Sequence, residues 1–258
     1  MTLDLVYRTL AIAMILAALA TPWFMSFPLA RYGRHKTGAA RWELAMPTRA
    51  AWMIMEAPAS LVFAAIFFLG DRSGALAPLI LFAIWQIHYA DRAFLYPLRM
   101  RARPGHRESG AIVGSAILYN SWNAFLNAGV IGFSAIGQTY PDSWLTDPRF
   151  LIGTAIFFLG LYINRKADAM LRALRRPGET GYSIPRGWLY ERVSCPNYLG
   201  EITQWTGWAI ASWSLGGLAF ALFTAANLVP RAIQHQRWYR DRFPDYPAKR
   251  KIILPGVF

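Results

Sequence analysis

Two carboxylates sit inside apolar stretches of this chain, Glu56 within WMIMEAPAS and Glu201 within NYLGEITQW. An acid at the centre of a membrane span costs roughly 2.5–3.5 kcal/mol, so one kept there is a functional candidate by default. In low-dielectric surroundings a carboxyl tends to hold its proton and can then donate a hydrogen bond. The segment 182–205, YSIPRGWLYERVSCPNYLGEITQW, is a polar, basic loop that turns directly into an apolar helix, with Asn197 one turn before Glu201. Such a junction offers unpaired backbone N–H groups and a positive dipole end, which suit a nucleotide's phosphates. These features point to a membrane enzyme with a charged cofactor near its cytosolic face.

Further polar groups recur at the three-to-four residue spacing that puts side chains on one helix face. One set is His88, Tyr89, Asp91, Arg92 and Tyr96, in which Tyr89, Tyr96 and Arg103 fall seven apart. A second is Asn164, Asp168, Arg172 and Arg175, and a third is Arg231, His235 and Tyr239. Asp91 beside Arg92 reads as a structural ion pair or a headgroup contact. Arg172, Arg176, Lys249 and Lys251 read as solvated basic residues, and Trp23, Trp122, Trp144 and Trp213 as interface belt residues. Cys195, the single cysteine, reads as a packed thiol; one cysteine excludes an internal disulfide and a multi-cysteine metal site. No metal site is expected.

The elements that must position these groups are membrane helices. The 258 residues are 55% hydrophobic and 16% charged, against about a quarter charged in soluble domains. Apolar windows of about 20 residues predict an all-α integral membrane bundle of seven transmembrane helices in a single domain spanning 1–258. The predicted spans lie near 9–30, 50–70, 76–98, 110–136, 149–170, 199–213 and 217–240, the last two split at Ser214-Leu215-Gly216-Gly217. Ala18-Leu19-Ala20 resembles a signal cleavage site, but the apolar run continues past it, so the segment is expected to be retained.

Connections 31–49, 99–107, 165–192 and 231–251 hold 5, 4, 7 and 7 Lys and Arg, while the opposite side holds Arg8, Arg72 and Arg149. By the positive-inside rule the N-terminus is outside and the C-terminus cytosolic. The net charge of +13 is spread between spans and forms no single patch, so nucleotide phosphates or anionic lipid headgroups are the expected partners, not nucleic acid. No G-x-G-x-x-G follows a predicted strand, so a Rossmann domain is not expected and a cofactor would sit within the bundle and its loops. Arginine abundance suits a 2′-phosphate, which favours NADPH over NADH.

From Tyr32 to Phe258 the chain resembles the steroid 5α-reductase (3-oxo-5α-steroid 4-dehydrogenase) family. The likeness is carried by RAAW followed by Glu56, HY–R–F–Y from His88 to Tyr96, YPD–W–TD–RF from Tyr140 to Phe150 and LR–LR–PGE from Leu171 to Glu179. It continues through Y–IP–G and NYLGEI–W–G to a C-terminal H–R–Y–FPDYP–R. NYLGE alone is less specific, since sterol reductases and isoprenylcysteine methyltransferases look similar there.

The resemblance implies an NADPH-dependent reductase of seven helices, acting on the Δ4 double bond of a 3-oxo steroid. It implies cofactor contacts at Asn164, Asp168, Arg175, Tyr182, Asn197, Glu201, Arg231, His235 and Tyr239, with Tyr32, Tyr96, Arg103 and Arg250 as further positions. Glu201 would hold the nicotinamide carboxamide while the arginines face phosphates. Met55 departs from the glutamine that mammalian members carry before the catalytic glutamate, which bears on substrate preference.

The chemistry suits that assignment. Hydride addition to the β-carbon of an enone drives negative charge onto the carbonyl oxygen, and donors placed there stabilise the transition state. Tyr89 and a protonated Glu56 are the expected pair, and Trp52 and Trp205 are expected to line an apolar steroid slot. Competing readings are a membrane methyltransferase using S-adenosylmethionine, a transporter or lipid-binding protein, and a reductase of an enoyl thioester or polyprenol. A monomer in the membrane is expected, in the bacterial inner membrane if prokaryotic and the endoplasmic reticulum if eukaryotic.

Overall fold

The computed structural model describes residues 2–25, 45–100, 105, 107–174 and 181–258. The expected contacts Tyr32, Arg103 and Arg175 lie outside the described residues. The chain forms α1 (Leu3–Met25), α2 (Thr48–Leu69), α3 (Leu76–Tyr89), a π-helical turn (Ala90–Leu95), α4 (Tyr96–Arg99), α5 (Gly110–Gly132), α6 (Pro148–Ala173), α7 (Pro196–Ser212) and α8 (Leu215–Arg242). Strands β1 (Ala45–Pro47) and β2 (Arg107–Ser109) pair antiparallel ahead of α2 and α5.

Four helices, α1, α2, α6 and α8, are long and apolar enough to cross a membrane by length and composition. Large apolar side chains on them lie exposed, including Leu19, Leu61, Phe68 and Leu159, as a lipid-facing surface requires. The helix starts follow local chemistry. Asp147 caps α6 by accepting from the Arg149 N–H at 2.8 Å, with Pro148 in the first turn. The Arg149 side chain, lying against the same carboxylate, pushes the Asp147 pKa down to about 2. Ser214 caps α8 by accepting from the Gly217 N–H. The break between α7 and α8 falls at Trp213, which takes the left-handed conformation at φ 44°, a cost that glycine usually avoids.

Two close approaches set the site. Gly153, Gly160, Gly200 and Gly207 lie in the antiparallel seam between α6 and α7. A Cβ on Gly160 would fall 2.6 Å from the Gly200 carbonyl oxygen, and one on Gly200 would fall 2.7 Å from the Gly160 oxygen. The seam therefore brings backbone onto backbone and faces Asn164 and Asp168 against Asn197 and Glu201. Beneath it lies an aromatic core: Trp85 packs on Phe63, Tyr89, Trp205, Trp208 and Phe220 at centroid separations of 4.6–5.6 Å. Trp144, expected at the membrane interface, is instead buried, its indole N–H donating to the Ala211 carbonyl because this removes a polar atom from the apolar interior.

Candidate active site

The π-helical turn decides what the α3 end presents. Its wider i→i+5 pattern, seen in the Tyr96 N–H bonding to the Asp91 carbonyl, inserts one residue into the helical register. Asp91 and Arg92 consequently separate. Asp91 pairs with Arg99 and, at 3.4 Å, with Arg165, so the expected Asp91–Arg92 pair does not form. Arg92 turns the other way, its Nε 3.7 Å from Glu56 Oε1, with both side chains 19% exposed. Its guanidinium lies 4.9 Å over the Trp52 ring and 5.3 Å over Tyr96.

A polar network starts on the other side of Arg92. The Asn164 amide donates to the Asn197 carbonyl at 3.0 Å and reaches Glu201 Oε2 at 3.5 Å, while the Asn197 amide donates to Asp168 Oδ1 at 3.2 Å. Glu201 and Asp168 of this network lie on the same side of the chain as the Glu56–Arg92 pair, through Tyr96, which stacks under Arg92 and lines the cavity with Asp168. Of the two acids singled out in the sequence, Glu56 pairs with Arg92 and Glu201 with the Asn164 amide. On α2 and α5 the Asn120 amide holds the Met55 carbonyl at 2.6 Å, fixing the backbone just before Glu56. Tyr89 is 3% exposed, wedged between Trp85, His88 and Trp205.

A cavity of about 220 Å³ opens beside this network. Of the expected contacts, Tyr96, Asp168, Asn197, His235 and Tyr239 line it. Asn164 and Glu201 stand behind Asn197 and Asp168 through the bonds above. Tyr198, one residue past Asn197, donates to or accepts from His235 Nε2 at 3.0 Å. Tyr182 packs against Trp238, itself in ring contact with the cavity residue Tyr239, and Arg231 bonds Asn227 at 2.6 Å. Trp205 is buried at 1% exposure within the aromatic core, and Trp52 packs on Tyr96.

Sequence reasoning missed several residues. Arg172, read as solvated, lines the cavity and lies 5.5 Å over the Tyr96 ring, and Ser194 also lines it, while Cys195 is packed as expected and borders the same cavity. Arg92, read as Asp91's partner, pairs with Glu56 instead. The signal for Arg172 was present: it continues the four-residue step from Asn164 and Asp168.

The donor set fits a phosphorylated dinucleotide. Arg250 is 2% exposed over the Tyr246 ring, and among the described residues its three guanidinium nitrogens have no hydrogen-bond partner. A buried guanidinium without an acceptor is costly unless an anion completes it. Tyr246 stacks on Tyr239, a cavity residue, so this cation stands behind the same wall. Amide and carboxylate groups at Asn197 and Asp168 complement polar edges, and the cationic Arg172 complements phosphate. Among the described residues no group of three or more His, Cys, Asp or Glu is placed to hold a metal.

A family model described as 3-oxo-5-alpha-steroid 4-dehydrogenase matches residues 109–258, more than half the chain. The chain is 43% identical over 230 residues to the human protein called 3-oxo-5-alpha-steroid 4-dehydrogenase 1, covering 88% of this chain and 86% of that one. The Macaca fascicularis protein of the same name is 42% identical, covering 88% and 84%. A steroid 5-alpha-reductase of Solanum lycopersicum is 37% identical over 251 residues, covering 96% of each. The α6 and α7 residues that build the network fall inside the residues the family model matches, and the chain belongs to the 3-oxo-5-alpha-steroid 4-dehydrogenase family of oxidoreductases.

Proposed function

We propose that the protein reduces the Δ4 double bond of 3-oxo-Δ4 steroids to 5α-3-oxosteroids with NADPH. One observation carries this reading: a half-buried acid suited to a ketone, Glu56, paired with Arg92, lies in the same fold as the amide–acid network of Asn164, Asp168, Asn197 and Glu201 that borders the cavity. The relatives' printed names supply the substrate class.

Asn164, Asp168, Asn197, Glu201, His235 and Tyr239 would hold the cofactor, with Tyr96 against it and Arg172, Arg250, Arg231 and the undescribed Arg175 and Arg103 serving its phosphates. Tyr182 and Tyr32 would be further cofactor contacts. When bound, NADPH would supply the hydride that the steroid C5 accepts, and a proton from solvent or a side chain completes C4. The chain's own part is electrostatic. Tyr89's hydroxyl donates to the steroid carbonyl oxygen, where negative charge collects as the double bond is lost. Glu56 turns one oxygen to Arg92 and uses the other, carrying the proton, as the second donor to that carbonyl. The apolar surroundings of Tyr89 exclude water, which strengthens both hydrogen bonds. Trp52 and the face of Trp205 bound the apolar slot.

The same reading places seven helices across the membrane in one domain, N-terminus outside and C-terminus cytosolic. The cavity opens where the ends of α4 and α6, the start of α7 and the end of α8 meet, on the basic side of the chain. The protein works as a monomer among membrane lipids. The test is incubation of purified protein with NADPH and testosterone or progesterone, followed by mass analysis. A product heavier by two hydrogens is expected. An unreacted steroid, together with binding of S-adenosylmethionine in place of NADPH, would overturn the reading.

A further inference from the structure

We propose that Tyr162, Lys166 and Trp188 form a seat for the headgroup phosphate of an anionic phospholipid, at the lipid-facing edge of α6. None of the three lines the cavity described above, and the proposal does not rest on the functional reading. It starts from the two ends of one helix. At about 1.5 Å per residue, Arg149 and Lys166 stand about 26 Å apart along α6, close to the roughly 30 Å of a bilayer's hydrocarbon core. Between them the exposed side chains Leu151, Ile152, Phe158 and Leu159 are apolar. Both cations therefore lie at the depth of lipid headgroups.

Each end sets its cation against two rings, but only one end supplies an anion. Arg149 lies 4.5 Å over Trp144 and 5.3 Å over Trp213, and Asp147 neutralises it at 2.8 Å. Lys166 Nζ lies 4.5 Å over Trp188 and 5.5 Å over Tyr162, and donates to the Tyr162 hydroxyl oxygen at 3.2 Å. Among the described residues no carboxylate pairs with it. The neighbouring acids are committed elsewhere: Asp91 to Arg99 and Arg165, and Glu191 to the Gly187 N–H. The trio is also held in place. Buried Tyr190 donates to the Ala167 carbonyl at 3.2 Å, one residue past Lys166, and so pins the turn that carries Trp188 to α6. Trp188 takes φ 50°, a left-handed conformation that a bulky residue keeps only where its surroundings impose it. Because the Tyr162 oxygen accepts from Lys166, its O–H remains to donate outward, beside the other ammonium hydrogens and the Trp188 indole N–H. Donors around one uncompensated charge suit a phosphate. The apolar face leading to them suits an anion that carries acyl chains, which would lie along Leu159 and Ile152.

The test uses full-length protein in micelles of an uncharged detergent and follows thermal unfolding as phosphatidylglycerol, phosphatidylcholine or inorganic phosphate is added. A ligand that binds only the folded state raises the midpoint temperature with its concentration. Phosphatidylglycerol is expected to stabilise wild-type protein at lower concentration than phosphatidylcholine, and inorganic phosphate to leave the midpoint where it was. Lys166→Gln is expected to need about fivefold more phosphatidylglycerol for the same shift, the worth of one basic residue at an anionic lipid surface. Lys249→Gln removes the same charge from an exposed position on the C-terminal segment and should match wild type. Trp188→Gly loses the ring while glycine takes the same φ without strain, and it too should need more phosphatidylglycerol. Should Lys166→Gln fail to fold, Trp188→Gly carries the decision alone. Equal shifts in Lys166→Gln and Lys249→Gln, or a wild-type lipid response in Trp188→Gly, would overturn the proposal. So would inorganic phosphate or phosphatidylcholine protecting as well as phosphatidylglycerol, since the first describes a free-anion site and the second leaves the charge without a part.

Discussion

Gly200→Ala is the substitution that most directly links the helix seam to the site. A Cβ there would lie 2.7 Å from the Gly160 oxygen and 2.8 Å from the Asn164 Cα, both backbone atoms that cannot rotate away. Carbon contacts settle at about 3.5–4.0 Å, so α6 and α7 must part by roughly 1 Å. Overpacking of this kind costs about 1–3 kcal/mol. The opening falls directly on Asn164 and Asn197, whose hydrogen bonds at 3.0 and 3.2 Å would stretch beyond useful range. A misplacement of about 1 Å at reacting groups costs on the order of 100-fold in rate. Gly200→Ala is therefore expected to lose about 100-fold in kcat/KM and to weaken NADPH binding, measured by steroid turnover and by cofactor titration. Gly114→Ala on α5, where a Cβ meets nothing within 4 Å, serves as the control and should match wild type. A Gly200→Ala protein with wild-type turnover and NADPH affinity would refute the claim that this seam positions the network.

Three further outcomes are expected. Glu56→Gln should lower turnover about 100-fold, the loss typical of one oxyanion donor, while the NADPH dissociation constant stays unchanged; undiminished turnover would remove Glu56 from its role. Arg175→Ala should weaken NADPH binding about tenfold or more, the scale of a lost charge-assisted hydrogen bond, and an unchanged affinity would take Arg175 out of the site. Asp147, pulled down to about 2 by Arg149, contributes stability above its unfolded value that is lost as pH falls through its folded one. Thermal unfolding of Asp147→Asn should accordingly vary less than wild type between about pH 4 and 2, and parallel curves would contradict this.

The polar residues in apolar stretches were legible because burial of such groups demands partners: Asn164, Asp168, Asn197 and Glu201 fall in one network, and Glu56 pairs with Arg92. The helix order was legible from hydropathy, and the break between α7 and α8 lay within a few residues of its expected place. Arg92 was not, because a one-residue π insertion after Tyr89 breaks the register on which face assignments depend. Arg172 continued the four-residue step from Asn164 and Asp168, yet that spacing did not assign it to the cavity, because a basic residue at a helix end has the same appearance whether it meets lipid or lines a cavity. The seven-residue glycine spacing at 153/160 and 200/207 was visible, yet spacing alone does not say which helix it will meet.

The central claim is that one buried cluster holds both the reduced cofactor and the steroid ketone. The most direct measurement supplies wild-type protein with NADPH carrying deuterium at nicotinamide C4, incubates it with testosterone, and locates the label in the product. The account predicts a 5α-reduced steroid with deuterium at C5. A product without label there, or no reduced steroid from protein that binds both ligands, would contradict it.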